Sequence, residues 1–281
     1  MSLRFAYNTN GTAHHRLDDA IDLIAEAGYQ GVALTLDIHH LDPFAETWAT
    51  EAQRVSSRLQ RLGLGSVIET GARFLLDPRA KHEPTLVSGD AAGRARRVGF
   101  LRRAIDIGAI LHSEAVSFWA GVPKPGIDRA EARAWLREGL TEVVAYAAER
   151  NVVACLEPEP GMLIETLDDY AVLDVPGLKL ALDTGHCLVT GERDPAVAVA
   201  EFAGRIGTVA LEDMARGVHV HLPFGEGDMD VPSVLNALDA IGFDKLICVE
   251  LSRESHRADL MVPASLEYLR ACRNPNPGAS A

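Results

Sequence analysis

Five short apolar runs of this chain end on charge. They close at Ile68-Glu69-Thr70-Gly71, Cys155-Leu156-Glu157-Pro158-Glu159, Leu182-Asp183-Thr184-Gly185-His186, Leu211-Glu212-Asp213 and Val249-Glu250-Leu251-Ser252-Arg253. After the fourth run comes Val218-His219-Val220-His221, followed by Gly225-Glu226-Gly227-Asp228. One acid after an apolar run is ordinarily a helix cap or a solvated loop residue. Several brought to one place are costly, because like charges repel and each loses hydration. A divalent cation resolves that cost. Oxygen donors suit Mg²⁺ and Mn²⁺, and added imidazoles move the preference toward Mn²⁺, Co²⁺ or Zn²⁺. His219 and His221 alternate in an extended segment, so both point the same way and can reach one centre. The candidate ligands are Glu157, Asp183, Glu250, His219 and His221.

For such residues to meet, the ends of the apolar runs must lie side by side. Short β-branched or apolar runs alternate with longer segments of helical period, the pattern of βα units. Strands are predicted over 3–8, 31–36, 66–69, 115–119, 152–156, 178–182, 206–211 and 245–249. Helices are predicted over 16–27, 47–62, 90–108, 129–150, 166–173, 195–202, 231–241 and 262–272. In the first helix Leu17, Ala20, Ile21, Ile24 and Ala25 form one stripe, and Gly28 stops it, as Gly63 stops the second. Asp128 and Asp194 stand where N-caps belong, with Pro195 at the first helical position.

Eight such units fit a single-domain α/β (β/α)₈ TIM barrel over residues 1–273. Residues 274–281, rich in Pro, Gly, Ala and Ser, are expected to be a flexible tail. The competing open sheet usually carries a Gly-rich phosphate loop after its first strand, and Asn10-Gly11-Thr12 is only a turn. In a barrel, chemistry belongs at the C-terminal strand ends, where the acids fall.

Composition narrows the partners. With 27 Lys plus Arg against 40 Asp plus Glu, the net charge of −13 argues against binding a nucleic-acid backbone. No apolar run approaches the roughly 20 residues of a membrane span, and the opening residues lack an apolar core of signal-peptide length. Cys155, Cys187, Cys248 and Cys272 lie far apart with no CxxC spacing. A soluble, reduced, cytoplasmic protein is expected, with Cys155 and Cys248 as inert core thiols.

Leu156-Glu157, Leu182-Asp183-Thr184-Gly185-His186, His221-x-x-x-Gly225-Glu226-Gly227 and Glu250 together resemble the xylose-isomerase-like TIM barrels. That superfamily holds sugar isomerases, ketose 3-epimerases, hydroxypyruvate isomerases and endonuclease IV. The resemblance implies metal-binding carboxylates at Glu157, Asp183 and Glu250, and a substrate- or second-metal-binding histidine at His186. One departure stands out. The family's strand-seven histidine is replaced here by Ala210, within Val209-Ala210-Leu211-Glu212-Asp213. His219 and His221 match loop positions that hold an additional metal in endonuclease IV. Either one of them supplies the missing imidazole, or the metal shifts toward His186, His219 and His221, or it is lost. The nuclease members also use histidines after strands three and four, where this chain has Glu69 and Trp119.

The activity so implied is that of a divalent-metal-dependent isomerase or epimerase of a keto-sugar or cyclitol. It works by proton transfer through a metal-stabilised enediolate, with Mn²⁺ or Zn²⁺ favoured over Mg²⁺ or Co²⁺. Glu157 and Glu250 are the expected acid/base pair, and His186 orients a substrate oxygen. The small polyhydroxylated substrate would also meet Glu69, Arg73, Lys81, His82, Trp119 and Arg253. Arg73, Lys81 and His82 lie in a long charged segment of the kind that covers substrates. Trp119 could stack on a sugar ring or plug the barrel top. His14, His15, His39 and His40 follow the first two strands, either at the mouth or solvated. A metal-dependent hydrolase of phosphate or glycosidic bonds, a keto-sugar lyase and a non-catalytic sugar-binding barrel remain alternatives. By analogy with relatives, homo-oligomers are expected.

Overall fold

The structure is a computed structural model that describes residues 3–273. The expected flexible tail, 274–281, lies outside the described residues. Eight strands alternate with helices: β1 (Arg4–Asn8), α1 (Leu17–Ala27), β2 (Gly31–Thr35), α2 (Trp48–Leu62), β3 (Gly65–Glu69), α3 (Ala91–Leu111), β4 (Val116–Trp119) and α4 (Arg129–Glu149). The second half continues with β5 (Ala154–Glu157), α5 (Leu167–Ala171), β6 (Lys179–Asp183), α6 (Thr184–Thr190), α7 (Pro195–Glu201), β7 (Ile206–Leu211), α8 (Val231–Ala240), β8 (Leu246–Val249) and α9 (Ala258–Arg273). Every neighbouring pair is parallel, and the ring closes through β1 and β8, where Phe5 meets Ile247 and Tyr7 meets Val249. The architecture is a single-domain TIM barrel.

The caps explain where several helices begin. Asp128 accepts hydrogen bonds from the backbone N–H groups of Ala130 and Glu131, and Asp194 from those of Ala196 and Val197. Two differences from the sequence reading stand out beyond shifts of a few residues at element ends. The last helix starts at Ala258 rather than at 262, and Pro263 is carried inside it. A short helix, α6, directly follows β6 where none is predicted.

Strand alternation fixes the layers inside the barrel. A buried inner cluster includes Ala6, Ala33, Val67, Ala115, Cys155, Ala181 and Cys248, separate from the larger core between strands and helices. Two residues further along, with the same inward parity, stand Asn8, Thr35, Glu69, Ser117, Glu157, Asp183 and Glu250. The small residues below therefore form a floor, and the layer above it is polar. All four cysteines are free, three of them buried. Among the described residues no helix is long and apolar enough to cross a membrane.

Candidate active site

A cavity of about 610 Å³ opens at the C-terminal end of the strands. It is lined by Glu69, Glu157, Asp183 and Glu250 from the strand ends and by Glu159, His186, His219 and His221 from the following loops and α6. Arg73, Lys81, His82, Trp119 and Arg253 line it too. The cavity therefore collects every candidate site residue of the sequence analysis. His14 lines it as well, whereas His40 is buried beside the His15 carbonyl.

The segment after β6 delivers two of these groups through one local device. Asp183 Oδ1 accepts a hydrogen bond from the backbone N–H of His186 at 3.1 Å, which caps α6 and nucleates its first turn. Gly185 is required inside that turn, because a Cβ there would collide with Glu212 Oε1 and lie 2.8 Å from Met214 Cε. The other Asp183 oxygen, Oδ2, is buried without a hydrogen-bond partner. It faces His186 Nε2 at 3.3 Å.

The imidazole of His186 is oriented from behind. Its Nδ1 lies 2.9 Å from the Pro158 carbonyl, which can only accept, so Nδ1 carries a proton and Nε2 faces the cavity. There Nε2 meets His219 Nε2 at 3.1 Å and Glu159 Oε2 at 3.9 Å. Glu159 Oε1 is 3.6 Å from His219 Nε2, and Glu157 Oε1 is 4.0 Å from His186 Nδ1. Two donor sets sharing His186 result: Glu159, His186 and His219, and Glu157, Asp183 and His186. Glu250 and His221 line the same cavity but belong to neither set. Glu250 accepts a hydrogen bond from Asn10 Nδ2 at 2.8 Å, and His221 lies with its ring centroid 5.8 Å from that of His219.

Loop seven is pinned so that its histidines hang over this centre. Asp213 accepts from the backbone N–H groups of Gly225 (2.8 Å) and Met229 (2.9 Å), and Asp213 pairs with Leu222 in an antiparallel bridge. The Gly-Glu-Gly-Asp motif is therefore a loop-folding element, held around a buried carboxylate.

The electrostatics are those of acids confined together. Burial, followed by the charges of Glu159, Glu69, Asp183 and Glu250, pushes the Glu157 carboxyl well above the ordinary range. Burial and then Glu250, Asp183 and Glu159 do the same to Glu69. Asp183 behaves oppositely. Burial opposes its ionisation, but His186, His221 and its hydrogen bonds hold its carboxyl below the usual value. For His186 burial disfavours the cation, yet Asp183 and Glu159 prevail and raise it. His219 is pushed down to about 4, first by burial and then by His186. His186 therefore holds its second proton more readily than His219 does.

Some functional groups were not selected from the sequence. Glu159 had a readable signal: Pro158 keeps the segment extended, so acids two apart face the same side. Glu212 lies fully buried against Asp183, and as two carboxylates neither could donate to the other. Burial and then the Asp183 charge raise the Glu212 carboxyl well above its usual value. Trp119 packs against two protein groups. His82 stacks on one face at 5.3 Å between centroids, and the Arg97 guanidinium covers a face at 4.3 Å. Trp119 therefore supports the cavity wall, with its ring already engaged by protein.

Fold and site define a TIM barrel with a metal-competent acidic mouth. The chain belongs to the family described as Xylose isomerase-like TIM barrel, whose model matches residues 21–272. It is similar to L-ribulose-5-phosphate 3-epimerase UlaE of Shigella flexneri serotype 5b (strain 8401), with 28% identity over 222 residues, covering 77% of this chain and 76% of that protein. Among solved structures, an L-ribulose 3-epimerase superposes with a TM-score of 0.77 at 21% identity, covering 100% of this chain and 99% of that one. A D-tagatose 3-epimerase-like protein does so with a TM-score of 0.74, also at 21% identity, covering 95% and 98%. Family, relatives and site agree that the chain is an enzyme.

Proposed function

We propose that the protein is a divalent-metal-dependent epimerase or isomerase of a small keto-sugar, moving a proton on carbon beside a carbonyl. The observation that carries this reading is the convergence of His186, His219, Asp183 and Glu159 in one cavity with Glu157 and Glu250. The donor set fits a divalent cation. Asp183 Oδ2 is a buried oxygen without a partner, and the cavity-facing Nε2 of His186 has its opposite ring nitrogen fixed by a carbonyl. Glu159, His186 and His219 would hold the ion, with Asp183 beside His186, so that His219 stands in for the imidazole absent at Ala210. The mixed nitrogen and oxygen ligands suit Mn²⁺ or Zn²⁺. When bound, such an ion supplies Lewis-acid polarisation of a carbonyl and a neighbouring hydroxyl.

The protein's own groups do the rest. Glu157 ends β5 and Glu250 follows β8, three strands apart around the ring, so a substrate between them meets a carboxyl on each face. One removes the proton and the other returns it to the opposite face or the adjacent atom. Asn10 orients Glu250 through its 2.8 Å hydrogen bond. The relative named as an L-ribulose-5-phosphate 3-epimerase supports the epimerase reading. A small polyhydroxylated substrate and a cytoplasmic, reduced setting are part of the same proposal.

Glu157→Gln and Glu250→Gln should each reduce solvent-deuterium incorporation into a ketose by about 100-fold or more. Full exchange in both variants would overturn the assignment. The cluster of His186, His219 and His221 also admits a second reading, a metal-dependent hydrolase. Two bound ions per chain, phosphodiester cleavage and no isotope exchange would favour it.

A further inference from the structure

Asn10-Gly11-Thr12, a plain turn in the sequence, is held from two sides in the structure. Residues Thr9–Thr12 form one turn of 3₁₀ helix after β1, capped by Asn8. Asn8 Oδ1 accepts from the backbone N–H of Asn10 at 3.1 Å and from Thr35 Oγ1 at 2.8 Å. The Thr35 N–H in turn donates to Thr9 Oγ1 at 3.0 Å, so the turn is tied to β2.

On its other side the turn is tied to the segment after β8. Buried Ser255 opens a second 3₁₀ turn, Ser255–Arg257, just before α9. Its Oγ donates to the Asn10 carbonyl at 2.9 Å and accepts from the Ala13 N–H at 3.2 Å. Gly11 lets the two segments touch, because a Cβ there would lie 2.9 Å from the Leu251 carbonyl oxygen and 3.0 Å from Tyr7 Cε1. Both main-chain polar groups of Asn10 are thus held by side chains, the N–H by Asn8 and the carbonyl by Ser255. What this fixes is the Asn10 amide, whose Nδ2 donates to Glu250 Oε1 at 2.8 Å. Among the described residues, that is the one hydrogen bond made to the Glu250 carboxylate.

We infer that Ser255 is a positioning residue for Glu250, acting through the Asn10 turn. Ser255 lines the cavity, but its single hydroxyl proton is committed to Asn10, so it has no donor left for a substrate. Without that hydroxyl the Asn10 carbonyl and the Ala13 N–H lose their common partner, and the turn is free to draw Asn10 away from Glu250. A carboxylate displaced by about 1 Å from its reacting geometry loses much of its rate. The inference rests on the epimerase reading above, in which Glu250 exchanges a proton on one face of the substrate and Glu157 on the other. Loosening one of the two has a one-sided signature. In D₂O, deuterium washes into a recovered epimer through the group that abstracts that epimer's proton, whereas interconversion needs both groups. A general loss of folding slows wash-in to both epimers alike.

The test uses the Mn²⁺-loaded full chain with L-ribulose and its C3 epimer L-xylulose. Ser255→Ala should lower kcat for interconversion at least about tenfold with KM within about twofold, and lower wash-in by a similar factor for one epimer only. Ser255→Thr, which keeps the hydroxyl, should restore at least about half of the parental rate. Asn10→Ala should show the same one-sided loss. The double variant Asn10→Ala/Ser255→Ala should be at most about threefold slower than Asn10→Ala, because both residues act through one contact. Crystals of the parent and of Ser255→Ala give a readout independent of turnover: in the variant Asn10 Nδ2 should lie beyond about 3.5 Å from Glu250. Equal slowing for both epimers, additive losses, or an unchanged Asn10–Glu250 contact in Ser255→Ala overturns the inference. If neither ketose is turned over but the contact breaks in the variant, the positioning role stands and the epimerase reading fails for these ketoses. No turnover together with an unchanged contact refutes both.

Discussion

At residue 183 one carboxylate both caps a helix and faces the cavity, one oxygen for each task. His186 has the same economy: Nδ1 is spent on the Pro158 carbonyl and Nε2 is presented to the site. A cation bound there must displace the proton that the raised His186 holds on Nε2. Metal affinity should therefore fall about tenfold per pH unit below the His186 pKa and level off above it. Titration calorimetry in two buffers of different ionisation enthalpy checks this, and a pH-independent affinity would contradict it. Glu212 supplies a second expectation. Its folded pKa is raised, so its contribution to stability is present below about 4.3, the ordinary unfolded value, and is lost as pH rises through the folded value. Each pH unit between the two costs about 1.4 kcal/mol. Glu212→Gln removes the titrating group and offers an amide N–H toward Asp183. The metal-free variant should melt at least about 2 °C above the parent at pH 8 and lose that advantage at pH 4.

At the scale of elements, α6 is where local folding and site assembly coincide. Gly185→Ala puts a Cβ against Glu212 and Met214, so the first turn must shift and carry His186 with it. The variant should lose about 1–3 kcal/mol of stability. Its metal affinity, measured at a temperature where it is fully folded, should also drop at least about tenfold. Unchanged affinity would mean that α6 does not position the ligand. The same helix shows where sequence reading reaches its limit. The eight strands were legible because apolar runs of strand length recur between helical stripes, and the caps at Asp128 and Asp194 stand where the sequence puts them. Thr-Gly-His-Cys-Leu-Val-Thr, by contrast, mixes glycine with β-branched residues and reads poorly as a helix. Its stability comes from the Asp183 cap and from tertiary burial. α9 begins at Ala258, four residues before the predicted start, and carries Pro263 inside it.

At the scale of the whole molecule, closure of the barrel turns a one-dimensional rule into a site. Inward parity carries a floor of small residues to a polar layer two positions later on seven of the eight strands, and β7 departs with Ala210. This is why Glu157, Asp183, Glu250 and Glu69 were legible from strand ends alone. What parity does not encode is distance around and above the ring. That Glu159 lies beside His219, or that Arg97 takes a face of Trp119, depends on how loops from different strands fold over the mouth. The most direct measurement of the account is anomalous diffraction from crystals loaded with Mn²⁺ or Zn²⁺. A single ion about 2.0–2.2 Å from the Nε2 atoms of His186 and His219 and from a Glu159 carboxylate oxygen is the predicted result. An ion bound away from His186 and His219, or none at saturating metal, would contradict it.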